Sequence, residues 1–130
     1  MENNNGMKKI LLVDDNEVHL MIAESILKNN YVITTAKSGK EALSVLSKGF
    51  IPNLILLDIL MPEMDGWETF NIIKGISLLQ DVPIAFITSL NGENDKVYAS
   101  RIGAADLISK PYIGKDLIAR IEKIFSNKAV

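Results

Sequence analysis

Five short strand-like runs, each followed by a stretch of helical character, constrain this chain more than any other feature. The runs are Lys8–Val13, Tyr31–Thr35, Asn53–Leu57, Ile84–Ile87 and Ala105–Ser109. The first and third contain unbroken apolar segments, Ile10-Leu11-Leu12-Val13 and Leu54-Ile55-Leu56-Leu57. Continuity rather than alternation marks strands buried on both faces, as in a parallel sheet. Tyr31–Thr35 reads as a strand because it is aromatic and β-branched.

The segments between the runs carry helix signals. Asn16 is placed to cap a helix reaching about Lys28, with Val18, Met21, Ile22, Ser25 and Ile26 expected on its apolar face. Ser38 and Glu41 have capping-box spacing and open a second helix, to about Ser47. Asp65 and Glu68 repeat that spacing and open a third, to about Ile76. A fourth, Glu93–Ile102, has a thin apolar face of Val97, Tyr98 and Ile102, and Gly103 offers it a left-handed stop. The last, about Lys115–Ser126, is strongly amphipathic through Leu117, Ile118, Ile121, Ile124 and Phe125.

Five βα units with right-handed crossovers give an open, doubly wound α/β sheet with helices on both faces. At 130 residues the chain holds one domain with a substantial core. The expected architecture is flavodoxin-like, a five-stranded parallel sheet of order 2-1-3-4-5 whose switch point lies between strands 1 and 3. The expected boundaries are a disordered leader over 1–6, the domain over 7–126 and a C-terminal stub over 127–130.

Composition removes several function classes. Net charge is −2, which gives no general attraction to nucleic acid or to an anionic membrane. Cysteine is absent, so disulfides and thiolate metal sites are excluded. No apolar run approaches the roughly 20 residues that span a bilayer, and the N-terminus lacks a signal core. A cytoplasmic location is expected.

All strand C-termini of a parallel sheet lie on one edge, and polar residues stand at four of them. Asp14 and Asp15 follow the first strand, Asp58 the third, Thr88 the fourth and Lys110 the fifth. Convergent carboxylates repel one another, and a hard cation relieves the repulsion. Adding a hydroxyl and an amine turns a cation site into one suited to phosphoryl transfer. A carboxylate attacks in line while cation, hydroxyl and lysine hold the equatorial oxygens. Magnesium suits this donor set best. No glycine-rich phosphate loop follows the first strand, which weakens a nucleotide-binding reading.

These residues carry a resemblance. Leu11-Leu12-Val13-Asp14-Asp15-Asn16, Leu56-Leu57-Asp58-Ile59-Leu60-Met61-Pro62-Glu63-Met64-Asp65-Gly66, Thr88 after an apolar strand, and Gly103-Ala104-Ala105-Asp106 leading to Ser109-Lys110-Pro111 appear in order. From about Met7 to Phe125 the chain resembles a two-component response-regulator receiver domain. The resemblance implies that Asp58 is the phosphoacceptor for a histidine kinase or histidine phosphotransfer protein. It implies that Asp15, Asp58 and the carbonyl of Leu60 ligate magnesium, with Asp14 acting through a metal-bound water. Thr88 would bond the phosphoryl group, and Lys110 would pair with one of its oxygens. It also implies a cis Lys110–Pro111 peptide and a downstream protein target rather than direct nucleic-acid binding. Tyr98, Arg101 and Tyr112 fall near the region such domains present to partners.

The chain departs from the family pattern at three leucines. Leu107 stands where an aromatic switch residue is common, three positions before the lysine, leaving Tyr98 and Tyr112 as the remaining candidates for that coupling. Leu60 and Leu90, two positions after Asp58 and Thr88, occupy sites that influence hydrolysis in the family. Neither orients a water, so a long-lived acyl phosphate is expected. His19, the only histidine, reads as exposed and without a role, and Trp67 as a packing or surface residue.

Two rivals remain in view. A phosphatase of the haloacid-dehalogenase type needs an acid two residues after its nucleophile, and Leu60 stands there. A degenerate receiver acting only as a binding module normally lacks an acid or the lysine, and both are kept here. The expectation is therefore a stoichiometric phosphoacceptor rather than an enzyme.

Overall fold

The computed structural model describes residues 6–90 and 92–128. Most of the expected leader and the last two residues of the expected stub lie outside them. Five parallel strands form one sheet, β1 (Lys9–Val13), β2 (Val32–Ala36), β3 (Leu54–Leu57), β4 (Ile84–Thr88) and β5 (Asp106–Ser109), in the order β2-β1-β3-β4-β5. The helices are α1 (Glu17–Leu27), α2 (Gly39–Ser47), α3 (Gly66–Lys74), α4 (Glu93–Ile102) and α5 (Gly114–Lys128).

Side chains along a strand alternate between sheet faces, and the apolar runs use this to build two cores. Leu11, Val13, Ile55, Leu57, Ile84 and Phe86 face one way and pack with Leu46, Phe70, Ile73 and Ala99 of α2, α3 and α4. Ile10, Leu12, Leu54, Leu56, Ala85 and Ile87 face the other and pack with Leu20, Leu27, Leu117 and Ile121 of α1 and α5. That is why the central runs are continuous. Each residue is buried on one face or the other.

The helix caps form at the expected residues. Asn16, Ser38 and Asp65 accept from the amides of His19, Glu41 and Glu68. Gly103, at φ 97°, takes the left-handed conformation that closes α4. Trp67 is half-buried, 4.7 Å from Phe86 and 4.8 Å from Tyr98 between ring centroids.

Three sequence expectations are corrected. The buried face of α1 is Leu20, Ala23 and Leu27, whereas Val18, Met21 and Ile22 are exposed. This helix carries apolar residues on two sides, and the direction in which the β1–α1 turn delivers it selects between them. Helix α3 ends at Lys74, capped by Gly75, and a 3-10 turn (Ser77–Leu79) follows in place of the expected last turn. Glycine costs about 1 kcal/mol in a helix interior, enough to end a helix whose next residues pack as well outside it. Helix α5 continues to Lys128, past the expected end near Ser126.

Candidate functional site

Register brings the acids together. Val13 pairs with Leu57, and the Asp58 amide donates to the Val13 carbonyl at 2.9 Å. Asp14 and Asp58 thus leave adjacent strands at the same level, at the switch point where α1 and α3 depart to opposite faces. One carboxylate oxygen from each of Asp14, Asp15 and Asp58 lies within 4.8 Å of the others. Asp14 and Asp58 are buried, while Asp15 is exposed at the rim.

Backbone amides fix two of the carboxylates. Asp14 Oδ1 accepts from the Asn16 amide at 2.9 Å. Asp58 Oδ1 accepts from the Leu60 amide at 3.4 Å, the long end of the range. The loop after Asp58 is held tight by Gly66, whose amide donates to the Ile59 carbonyl at 2.8 Å. A Cβ at Gly66 would stand 2.3 Å from the Asp58 carbonyl oxygen and 2.7 Å from Ile59 Cα. Backbone on both sides cannot give way, so this close approach requires glycine.

Strands β4 and β5 supply the remaining groups. Thr88 is fully buried at the end of β4, and its Oγ1 accepts from the Leu90 amide at 3.1 Å. The Lys110 amide donates to the Thr88 carbonyl at 2.8 Å, tying the two strand ends together. The Lys110–Pro111 peptide is cis, as the resemblance implies. Lys110 Nζ reaches Asp14 Oδ2 at 2.7 Å and Asp58 Oδ2 at 3.3 Å. Its ammonium therefore sits where it opposes the repulsion of two buried carboxylates.

It does not fully offset their burial. Removal from water pushes the Asp58 carboxyl up from its ordinary 3.8 to about 6, the negative charge and hydrogen bond of Asp14 adding to the rise and Lys110 opposing it. Three carboxylate oxygens this close are a donor set that a divalent cation fits.

His19 is exposed, as expected, yet it belongs to this site. Its Nδ1 lies 2.9 Å from Lys110 Nζ and 3.7 Å from Asp14 Oδ2. It lies in the first turn of the helix capped by Asn16, and its partner Lys110 is 91 residues away in sequence, so no local pattern pointed to the contact. The exposed stripe Val18, Met21 and Ile22 was masked by the other apolar face of α1. Beside it an open groove of about 390 Å³ is lined by His19, Ile22, Ser89, Lys110, Pro111 and Tyr112. Leu60 is 52% exposed, Leu90 is half-buried and Leu107 is buried in the core.

Comparisons with known proteins agree on one family. The model of the response regulator receiver domain matches residues 10–122. Response regulator SaeR of Staphylococcus aureus is 34% identical over 121 residues, which cover 92% of this chain and 51% of that protein. The chain thus spans about half the length of the curated relatives it matches. Among solved structures, Vibrio cholerae chemotaxis protein CheY4 superposes with a TM-score of 0.85 at 27% identity, covering 92% of this chain and 99% of that one. The signal receiver domain of a signal transduction histidine kinase from Syntrophus aciditrophicus gives 0.81 at 32% identity, covering 92% and 91%.

Proposed function

The chain belongs to the response-regulator receiver family, a signalling module of two-component systems, and from that premise we propose that Asp58 is its phosphoacceptor. A carboxylate oxygen of Asp58 attacks the phosphorus of a phosphohistidine on a kinase or phosphotransfer protein. The P–N bond breaks, the imidazole leaves, and Asp58 becomes an acyl phosphate. Asp14, Asp15, Asp58 and the carbonyl of Leu60 are the groups that would hold magnesium. Bound there, magnesium supplies positive charge against the phosphoryl oxygens and relieves the repulsion among the acids. Lys110 pairs with a second phosphoryl oxygen, and the Thr88 hydroxyl turns from the Leu90 amide to a third.

One observation carries this reading, the convergence of three carboxylate oxygens within 4.8 Å beside an ammonium that contacts two of those acids. A binding module without phosphoryl chemistry would have no use for two buried acids paired with a half-buried lysine at the end of the sheet. The degenerate-receiver reading is therefore not favoured. A monoester phosphatase is disfavoured by Leu60, an apolar side chain where that chemistry needs an acid.

The donor docks, on this proposal, over the exposed stripe of α1. Val18, Met21 and Ile22 are 61%, 68% and 50% exposed, unusual for three apolar residues on one helix. They adjoin the groove that opens onto Lys110. A partner helix seated there would bring a histidine to the mouth of the crevice. The output passes to a downstream protein target, and the reaction is assigned to the cytoplasm. Among the described residues no helix is long and apolar enough to cross a membrane.

The test is labelling with a small phosphodonor. Acetyl phosphate and magnesium should add one phosphoryl group per chain, and Asp58→Ala should abolish it. Undiminished labelling of that variant, or turnover of phosphate monoesters by the wild type, would overturn the assignment.

A further inference from the structure

We propose that His19 is a positioning residue that holds Lys110 in place for phosphoryl transfer. The role rests on the phosphoacceptor reading of Asp58 and deepens it. An ammonium has three N–H donors and no acceptor. In Lys110 they meet three partners, Asp14 Oδ2 at 2.7 Å, His19 Nδ1 at 2.9 Å and Asp58 Oδ2 at 3.3 Å. Because the ammonium can only donate, Nδ1 is the acceptor and the ring proton is assigned to Nε2.

The three partners differ in what else they must do. Asp14 and Asp58 are anions, and both are among the groups that would hold a divalent cation. Phosphorylation also converts an Asp58 oxygen into the bridging oxygen of an acyl phosphate and moves the negative charge outward to the phosphoryl group. Lys110 must follow that charge without losing its place. His19 is the one acceptor of the three that would neither hold the cation nor react. Its grip on the ammonium is therefore independent of the state of the acids, and it leaves the donor aimed at Asp58 free to move to a phosphoryl oxygen.

The mounting of His19 fits this role. Its amide donates to Asn16 Oδ1 at 3.0 Å, and the Asn16 amide donates to Asp14 Oδ1 at 2.9 Å. The capped first turn of α1 thus ties the imidazole to the same strand end that presents Asp14. The Lys110 side chain is 12% exposed, so its hydrogen bonds are little diluted by water. The His19 side chain, at 44%, forms part of the open groove wall. It therefore lies where an incoming donor covers it.

Two variants separate the acceptor from the bulk of the ring. His19→Leu keeps a similar volume without an acceptor, and His19→Asn restores an acceptor oxygen close to the place of Nδ1. The readout is the initial rate of Asp58 labelling across a range of acetyl phosphate concentrations with saturating magnesium, with magnesium affinity measured separately by calorimetry. His19→Leu should lower the maximal rate about tenfold, the loss of one charge-assisted hydrogen bond. The half-saturating acetyl phosphate concentration and the magnesium affinity should stay as in the wild type. His19→Asn should recover most of the rate. Wild-type rates in His19→Leu, or equal losses in both variants, would overturn the role while leaving the phosphoacceptor reading intact. Failure of the wild type to label would overturn that reading and this role with it.

Discussion

Replacing Asp58 with asparagine should stabilise the metal-free protein at neutral pH. The side chain is buried beside Asp14, and its carboxyl rises from 3.8 to about 6 despite the lysine. Below the lower value it is protonated in folded and unfolded chains alike and costs nothing. As the pH climbs past 3.8, the unfolded chain gives up its proton while the folded one keeps it, and stability falls until the folded carboxyl ionises near 6. Over that interval the loss amounts to about 3 kcal/mol, at roughly 1.36 kcal/mol per pH unit. Asparagine has the shape of the protonated acid and escapes the loss. Lys110 keeps its shorter contacts to Asp14 and His19 in the variant. Urea unfolding in EDTA at about pH 7.5 should therefore show a midpoint raised by roughly 1–2 M, given a typical urea slope of about 2 kcal/mol per molar. The gain should shrink as the pH is lowered toward about 4, where the folded carboxyl is protonated and most of the loss has gone. Magnesium should narrow it too, by stabilising the wild type through binding. No gain in EDTA at neutral pH, or a gain of equal size at both pH values, would refute the view that ionised Asp58 strains this site.

Two further outcomes follow from the surface around the crevice. Leu60→Asn and Leu90→Glu each place a group able to orient water beside the acyl phosphate, so a dephosphorylation time course should show faster decay than the wild type. Unchanged or slower decay would sink that account. Met21→Glu puts a charge on the exposed stripe of α1. It should slow phosphotransfer from a partner protein, yet leave acetyl phosphate labelling and stability within about 0.5 kcal/mol of wild type, as for other surface changes.

Much of the architecture was legible because its signals are redundant. Continuous apolar runs report burial on two faces, three polar caps mark helix starts, and right-handed crossovers leave few topologies. The convergence of Asp14, Asp15, Asp58 and Lys110 was legible for a related reason. A parallel sheet has a single edge for its strand C-termini, so residues that end different runs become neighbours. What escaped depended on tertiary choice. Val18, Met21 and Ile22 make as good an apolar stripe as Leu20, Ala23 and Leu27, and only the turn out of β1 decides which one faces the sheet. The same rotation of α1 carries His19 over Lys110, a contact between residues 91 apart in sequence that no local pattern encodes. The end of α3 escaped because Ile76 continues the apolar period through Gly75, where the helix has already stopped.

On this proposal Asp58, the acid buried at the end of β3, accepts the phosphoryl group. Mass spectrometry of the intact chain after exposure to acetyl phosphate and magnesium, followed by peptide mapping of the trapped acyl phosphate, tests it most directly. One phosphoryl group per chain is expected, on Asp58, lost when magnesium is chelated beforehand. A label on Asp14 or Asp15, or undiminished incorporation in Asp58→Ala, would contradict it.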